Sequence, residues 1–249
     1  MRILLAPAKK MRVDTDTLAP LGLPDFLERT ERLLAALRSR TPDELRALWK
    51  CNEAIAAQNV ERLAHMDLRR GLTPAVLSYE GIAYRYLAPG VLEDAELDYL
   101  QEHLRILSGF YGMVRPFDGV TPYRLEMQAL LSVDGAKDLY GFWGDALARS
   151  VAQETDTVVD LASKEYSRAV TPHLPPEVTV HRCTFAVLKN GKAVEQGTLC
   201  KMARGEMVRW MAQNRVTAVE QLRRFDGLGF VYDPDRSTPN NDVFLQGGT

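Results

Sequence analysis

The chain is poor in the residues that stabilise a protein covalently or through metals. It has three cysteines in 249 residues. An odd number without paired spacing makes no disulfide framework, so a reduced, cytoplasmic protein is expected. Its four histidines, at 65, 103, 173 and 181, stand far apart and complete no cluster with cysteine or carboxylate. No metal site and no cofactor are expected. Long apolar runs are also missing. The longest early one, Ile3-Leu4-Leu5-Ala6, is cut by Pro7, too short for a signal-peptide core or a bilayer span. There is no repeat, low-complexity tract or Gly/Ser linker. Nor is there an excess of one charge: 31 Lys plus Arg oppose 33 Asp plus Glu, for a net charge of −2. That excludes a globally basic nucleic-acid binder but leaves room for a local basic cleft. What is there has the composition of a folded globular chain, 46% hydrophobic and 26% charged.

Periodicity interleaves strands and helices from end to end. Residues 2–6 read as a short buried strand, followed by a basic turn. Apolar residues at helical spacing predict an amphipathic helix over residues 25–38. Thr41-Pro42-Asp43-Glu44 is a capping box with Pro at the first helical position, and the helix it opens is expected to run towards Met66. Further helices are expected at 95–104, 139–152 and 202–214, and a strand at 157–162. Residues 178–188 and 193–201 flank Asn190-Gly191 and read as a β-hairpin. Thr217-Ala218-Val219-Glu220 reads as a second capping box. Phe230–Tyr232 closes the strands, ahead of a polar tail at 233–241. The expected fold is therefore α/β: a single compact domain over residues 1–245, with a mixed β-sheet, surrounding helices and a β-hairpin in the C-terminal half. Residues 246–249 are expected to fray. Two packed lobes meeting near residue 105 are the alternative.

Four segments set polar residues beside tight-turn or apolar residues. Ala6-Pro7-Ala8-Lys9-Lys10 follows a buried strand, at an edge where α/β sheets collect ligands; Lys9 also reads as a surface lysine. The run from Leu107 to Met127 is dense in Gly, Pro, Arg and Tyr. Arg115, Tyr123 and Arg124 there suit a phosphate or carboxylate, and Glu126 suits a base or an arginine partner. Asp160-Leu161-Ala162-Ser163-Lys164-Glu165-Tyr166 brings Lys164 and Glu165 to the end of a strand, or else caps a helix. Lys201, Arg204 and Arg209 put positive charge at an expected helix start, where the helix dipole disfavours it unless an anion compensates.

Together these segments resemble the YaaA family, bacterial proteins linked to peroxide-stress resistance. The resemblance covers nearly the whole chain. Its most specific parts are Pro7-Ala8-Lys9, the Leu107–Met127 run, Lys137-Asp138-Leu139-Tyr140 with Phe142-Trp143-Gly144, Leu161-Ala162-Ser163 with Glu165-Tyr166, and Ala203-Arg204-Gly205. Ala6, Gln128 and Asp160 depart from the pattern, which has Ser, Gly and Asn there. The resemblance implies a compact α/β protein with a basic cleft, a cytoplasmic location and a role in limiting oxidative damage. A helix-hairpin-helix-like nucleic-acid element is associated with the family. The nearest candidate here, residues 37–48, lacks a glycine hairpin.

Two functions stay open. In the first, favoured reading, the protein binds nucleic acid, DNA foremost, through Lys9, Arg115, Tyr123, Arg124, Lys164, Lys201 and Arg204. In the second it is an enzyme acting on a nucleotide or nucleobase, by glycosidic-bond or phosphate chemistry, with Glu126 and Glu165 catalytic. A deep pocket favours the second and a long open groove the first. No membrane partner is expected. Cys183 and Cys200 are expected as diagonal hairpin neighbours, buried as small apolar residues rather than joined as a redox pair.

Overall fold

The apolar run at the N-terminus forms the middle of the sheet. Ile3, Leu4 and Leu5 are wholly or almost wholly buried, because parallel strands with both faces covered read as continuous apolar runs. The structure, a computed structural model, describes residues 1–247. Its strands are β1 (Arg2–Leu5), β2 (Lys10–Met11), β3 (Thr73–Pro74), β4 (Tyr79–Glu80), β5 (Leu104–Ser108), β6 (Gly112–Val114), β7 (Gly119–Val120), β8 (Thr157–Asp160), β9 (Thr179–Lys189), β10 (Lys192–Val194), β11 (Phe230–Thr238) and β12 (Asn241–Gln246). The main sheet has the order β11-β12-β9-β8-β1-β5-β6, with β10 on β9. The inner five strands are parallel, and β6, β10 and β11 pair antiparallel with their neighbours. The sheet is mixed, as expected. From β1 the chain goes to β5 on one side and then to β8 on the other. The carboxyl end of β1 is thus a topological switch point, where open α/β sheets form a crevice.

The helices are α1 (Leu27–Arg38), α2 (Pro42–Trp49), α3 (Glu53–His65), α4 (Ala75–Ser78), α5 (Ile82–Leu87), α6 (Asp94–His103), α7 (Leu139–Trp143), α8 (Ala146–Glu154), α9 (Lys164–Ser167) and α10 (Gly197–Gln213). α1 buries Leu27, Thr30, Leu33, Leu34 and Leu37, the face its spacing gives. The Thr41 capping box forms: Thr41 Oγ1 accepts from the Glu44 amide at 3.3 Å, and Glu44 Oε2 accepts from the Thr41 amide at 2.7 Å. The expected run from Pro42 to Met66 is broken, however. Lys50 turns left-handed at φ 46°, and α3 restarts on Asn52, whose Oδ1 accepts from the Ile55 amide. The helix expected at 139–152 is likewise split, at Gly144 with φ 53°. The second capping box opens only a 3₁₀ turn over Val219–Arg224, and the side chain that caps it is Gln221, not Glu220.

Two further expectations fail near the C-terminus. The hairpin closes in the expected register, Lys189 opposite Lys192, but its second strand stops at Val194. From Gly197 the chain is helical, because Cys200, Ala203, Met207, Val208 and Met211 form one buried helical face. Cys200 is therefore on α10, where its Sγ donates to Phe185 O at 3.3 Å, and Thr198 does not face Cys183. Residues 233–241 are not a loose tail either. They complete β11, with a register shift between Asp233 and Thr238, and turn into β12. Val243 and Phe244 of β12 are buried and pull this hairpin onto β9. Pro234 and its charged neighbours hid that strand. Gln246 belongs to β12 and donates to Leu228 O at 2.8 Å; residues 248 and 249 lie outside the described residues. Among the described residues no helix is long and apolar enough to cross a membrane.

Candidate functional site

A cavity of 380 Å³ opens at the carboxyl end of β1. Its floor is the Leu5–Lys10 turn. One wall is the start of α5, a second is Tyr123–Glu126, and a third combines Leu161, Ser163, Glu165 and Tyr166 with Lys201 and Arg204 of α10. Three close approaches fix these walls. A Cβ on Gly205 would lie 1.9 Å from Ala83 O, so α10 crosses α5 at backbone distance. A Cβ on Gly81 would meet Ala8 Cβ at 2.8 Å. A Cβ on Gly109 would lie 2.6 Å from Leu125 O and 2.9 Å from Glu126 C. The glycine ahead of β6 thus seats the segment that carries Glu126.

Glu126 is gripped from both sides. Its Oε2 is 2.7 Å from Lys9 Nζ and its Oε1 is 3.3 Å from Arg124. Glu165 sits differently. Its Oε1 accepts from the Gln128 amide at 3.3 Å, and Tyr140 Oη donates to its backbone oxygen at 2.9 Å. Burial, with the nearby charge of Glu126, pushes the Glu165 carboxyl above the ordinary range. Tyr123 is engaged on its hydroxyl, 2.6 Å from Ser108 Oγ and 3.0 Å from Tyr79 Oη. Burial pushes it up to about 12. Tyr123 therefore lines the cavity, and its hydroxyl anchors the chain just before Arg124. Tyr84 Oη donates to Ala6 O at 3.1 Å and ties α5 to the turn after β1.

The two arginines of the cavity are incompletely paired. Arg124 Nε and Arg204 Nε are both buried without a hydrogen-bond partner. A buried N–H left unpaired costs about 1–3 kcal/mol, and native proteins leave few such groups. Both guanidiniums line the same cavity. An anion accepting from them would remove that cost.

The structure brings Lys9, Tyr123, Arg124, Glu126, Glu165, Lys201 and Arg204 to this cavity and leaves Arg115 and Lys164 out of its lining. Arg115 follows β6, which runs back antiparallel along β5 from Ser108 opposite Gly112. It ends towards the start of β5, away from the cavity, 3.7 Å from Asp25 and 4.0 Å from Glu154. Lys164 faces a neighbouring cleft that also borders Arg204. Lys201 and Arg204 do not begin a helix, since α10 starts at Gly197. The helix-dipole conflict read from sequence thus does not arise there. Lys10 and Tyr166, which stand in segments the sequence singles out without a site role of their own, also line it, as does Tyr84. Sequence reasoning missed Arg182, whose place early in β9, beside Asp160 at the end of β8, depends on strand order. Residues 37–48 form the α1–α2 turn through Ser39, Arg40 and Thr41, apart from the cavity. No group of three or more His, Cys, Asp or Glu side chains that could hold a metal ion occurs among the described residues.

Known proteins share this chain along its length. The family described as Peroxide stress protein YaaA matches residues 1–236. A UPF0246 protein of Agathobacter rectalis is 49% identical over 244 residues, 98% of each chain. One from Lachnoclostridium phytofermentans is 47% identical over 247 residues, covering 99% of this chain and 97% of its own. One from Desulfitobacterium hafniense is 46% identical over 246 residues, covering 99% and 98%. With a family match over residues 1–236 and a relative 49% identical over 98% of the chain, the chain belongs to the YaaA family of peroxide stress proteins.

Proposed function

We propose that the protein is an enzyme that acts on a nucleotide unit held in the cavity at the end of β1. The observation that carries this reading is the pairing, in one cavity, of two under-paired arginines with two carboxylates in unlike settings. A surface that only grips phosphate has little use for two half-buried acids among its cations. A cavity of this size accepts one nucleotide rather than a length of duplex. The apolar turn after β1 and the rings of Tyr123 and Tyr166 suit a base. Arg124 and Arg204 suit the phosphate, since planar guanidinium forks match phosphate oxygens.

The chemistry that suits this arrangement is hydrolysis of the glycosidic bond. Glu165, raised by burial, is the general acid and protonates the departing base nitrogen. Glu126, held by Lys9 and Arg124, faces the sugar as a carboxylate, steadies the developing positive charge and takes a proton from water. The carbon–nitrogen bond breaks, the water oxygen bonds to the sugar carbon, and the products are free base and sugar phosphate. Binding of DNA without turnover is the rival outcome. It draws on the cations near the mouth, Lys10, Lys164 and Lys201.

Nucleosides, nucleotides and oligonucleotides, with and without oxidised bases, test the reading when released base is measured by chromatography. Turnover by the parent is expected, with a loss of about 10²–10⁴-fold in Glu165→Gln and Glu126→Gln and binding retained. A parent that binds DNA but releases no base from any substrate overturns it.

A further inference from the structure

A second cleft, of 300 Å³, lies across Arg204 from the cavity. Lys164, Arg168, Arg182 and Arg204 line it, against the carboxylates of Asp160 and Glu195. Four cations thus face two acids in a chain whose net charge is −2. Both acids already have other partners. Asp160 Oδ2 accepts from Ser167 Oγ at 2.5 Å and its Oδ1 from the Ala162 amide at 3.1 Å. Arg182 approaches Asp160 at 3.7 Å, and Arg204 lies near enough to favour its charged form. Glu195 turns towards Cys200, 3.9 Å from its Sγ. Among the described residues, no carboxylate oxygen lies within 4.0 Å of the charged nitrogens of Lys164, Arg168 or Arg204. Arg168 is braced instead over the Tyr140 ring, 4.9 Å from its centroid, and Tyr140 is bonded to Glu165 in the wall of the first cavity.

The two clefts therefore share one guanidinium, and that guanidinium carries a buried Nε with no partner. Like charges converge on an open cleft at an electrostatic cost unless an anion compensates them. We infer that the second cleft is an anion subsite and that the ligand is a nucleotide carrying a second phosphate, with Arg204 between the two anionic positions and Arg168 and Arg182 on the outer one. This inference rests on the reading that the first cavity takes a nucleotide. The second phosphate has two sources of the same chemistry: a mononucleotide phosphorylated twice on its sugar, or the next phosphodiester of an oligonucleotide.

The probes are the 5′-monophosphate, the 3′,5′-bisphosphate and the 5′-phosphorylated dinucleotide, taken through the four common DNA bases and titrated by calorimetry. The second phosphate is expected to tighten binding at least about ten-fold, on the scale of one charge-assisted contact. The double variant Arg168→Ala/Arg182→Ala is expected to erase that gain and to leave monophosphate affinity unchanged. Both side chains are exposed, so the variant keeps its fold. A gain with the bisphosphate assigns the mononucleotide source, and a gain with the dinucleotide alone assigns the phosphodiester. Equal affinity for monophosphate and both longer probes overturns the subsite while the first cavity's reading stands. A gain that survives in the double variant overturns it as well. If no probe binds, the reading of the first cavity fails and the subsite with it.

Discussion

At the scale of single residues, what matters is how each charge is held. Arg124 follows Pro122 and Tyr123, whose hydroxyl is anchored on Ser108, and its buried Nε has no hydrogen-bond partner. Little entropy is left to lose when it meets a ligand. Arg124→Lys keeps the charge and discards the fork, so nucleotide affinity should weaken by about 1–3 kcal/mol. Arg115→Lys should leave it unchanged, because Arg115 faces Asp25 and Glu154 instead. Calorimetric titration of both variants distinguishes these outcomes. Glu165 gives the pH dependence. In the proposed reaction its acid form is the working form, and its proton is held more tightly than in an ordinary glutamate. Turnover should therefore fall as pH rises through that raised value, and Glu165→Gln should show no such limb. Asp118 ties pH to stability. Burial, with Asp25 nearby, raises its carboxyl to about 6. The unfolded chain ionises near 3.9, so the folded state holds the proton more tightly. Stability from this group is present below about 4 and is lost as pH rises through about 6. The full difference is about 3 kcal/mol. Asp118→Asn keeps an oxygen to accept from the Arg115 amide and should be more stable than the parent at pH 7 by up to that amount, with no gain at pH 4. Urea denaturation at the two pH values checks it.

At the scale of elements, glycines set the distances. Gly205→Ala would push a methyl group into Ala83 O and force α10 off α5. A loss of about 3 kcal/mol is expected, at the upper end of overpacking costs, with both Lys201 and Arg204 displaced. Gly109→Ala meets the Leu125–Met127 backbone instead. It should lower turnover more than stability, because the segment it shifts carries Glu126; comparing kcat with the urea midpoint separates the two effects. The same elements show what the sequence made legible. Elements with one uninterrupted pattern, such as β1 and α1, were readable, because burial of one face dictates the period. Breaks were not. Lys50 and Gly144 each end a helix at positive φ, and an apolar pattern continues across such a residue without notice. The α10 start was hidden for the opposite reason, since strand-like and helical spacing both fit residues 193–201 until the buried face of Cys200 and Ala203 decides.

At the scale of the whole molecule, the cavity unites residues from position 5 to position 204. Glu126 and Arg124 were legible because Pro, Tyr and Gly crowd around them. The exclusion of Arg115 was not, because the reversal at Gly112 sends it towards the far end of β5, and only strand pairing shows that direction. Lys164 and Glu165 are neighbours that enter different clefts, a division made by the turn into α9. The cysteines stand outside this design. Burial pushes the Cys183 and Cys200 thiols up, which leaves little thiolate for reaction with peroxide. A stably folded Cys51→Ser/Cys183→Ala/Cys200→Ala variant should protect cells from peroxide as the parent does; loss of protection would place the chemistry on a thiol.

The central claim is that Arg124 and Arg204 wait for an anion in one cavity. The most direct measurement follows the arginine Nε–H resonances by ¹⁵N-correlated NMR during titration with a nucleoside monophosphate. The Arg124 and Arg204 signals are expected to shift and to exchange more slowly with water as each gains an acceptor. Arg209, whose buried Nε is equally unpaired but which is not part of the cavity lining, should stay unmoved, as should Arg115. Shifts at Arg115 or Arg209 with none at Arg124 and Arg204 would contradict it.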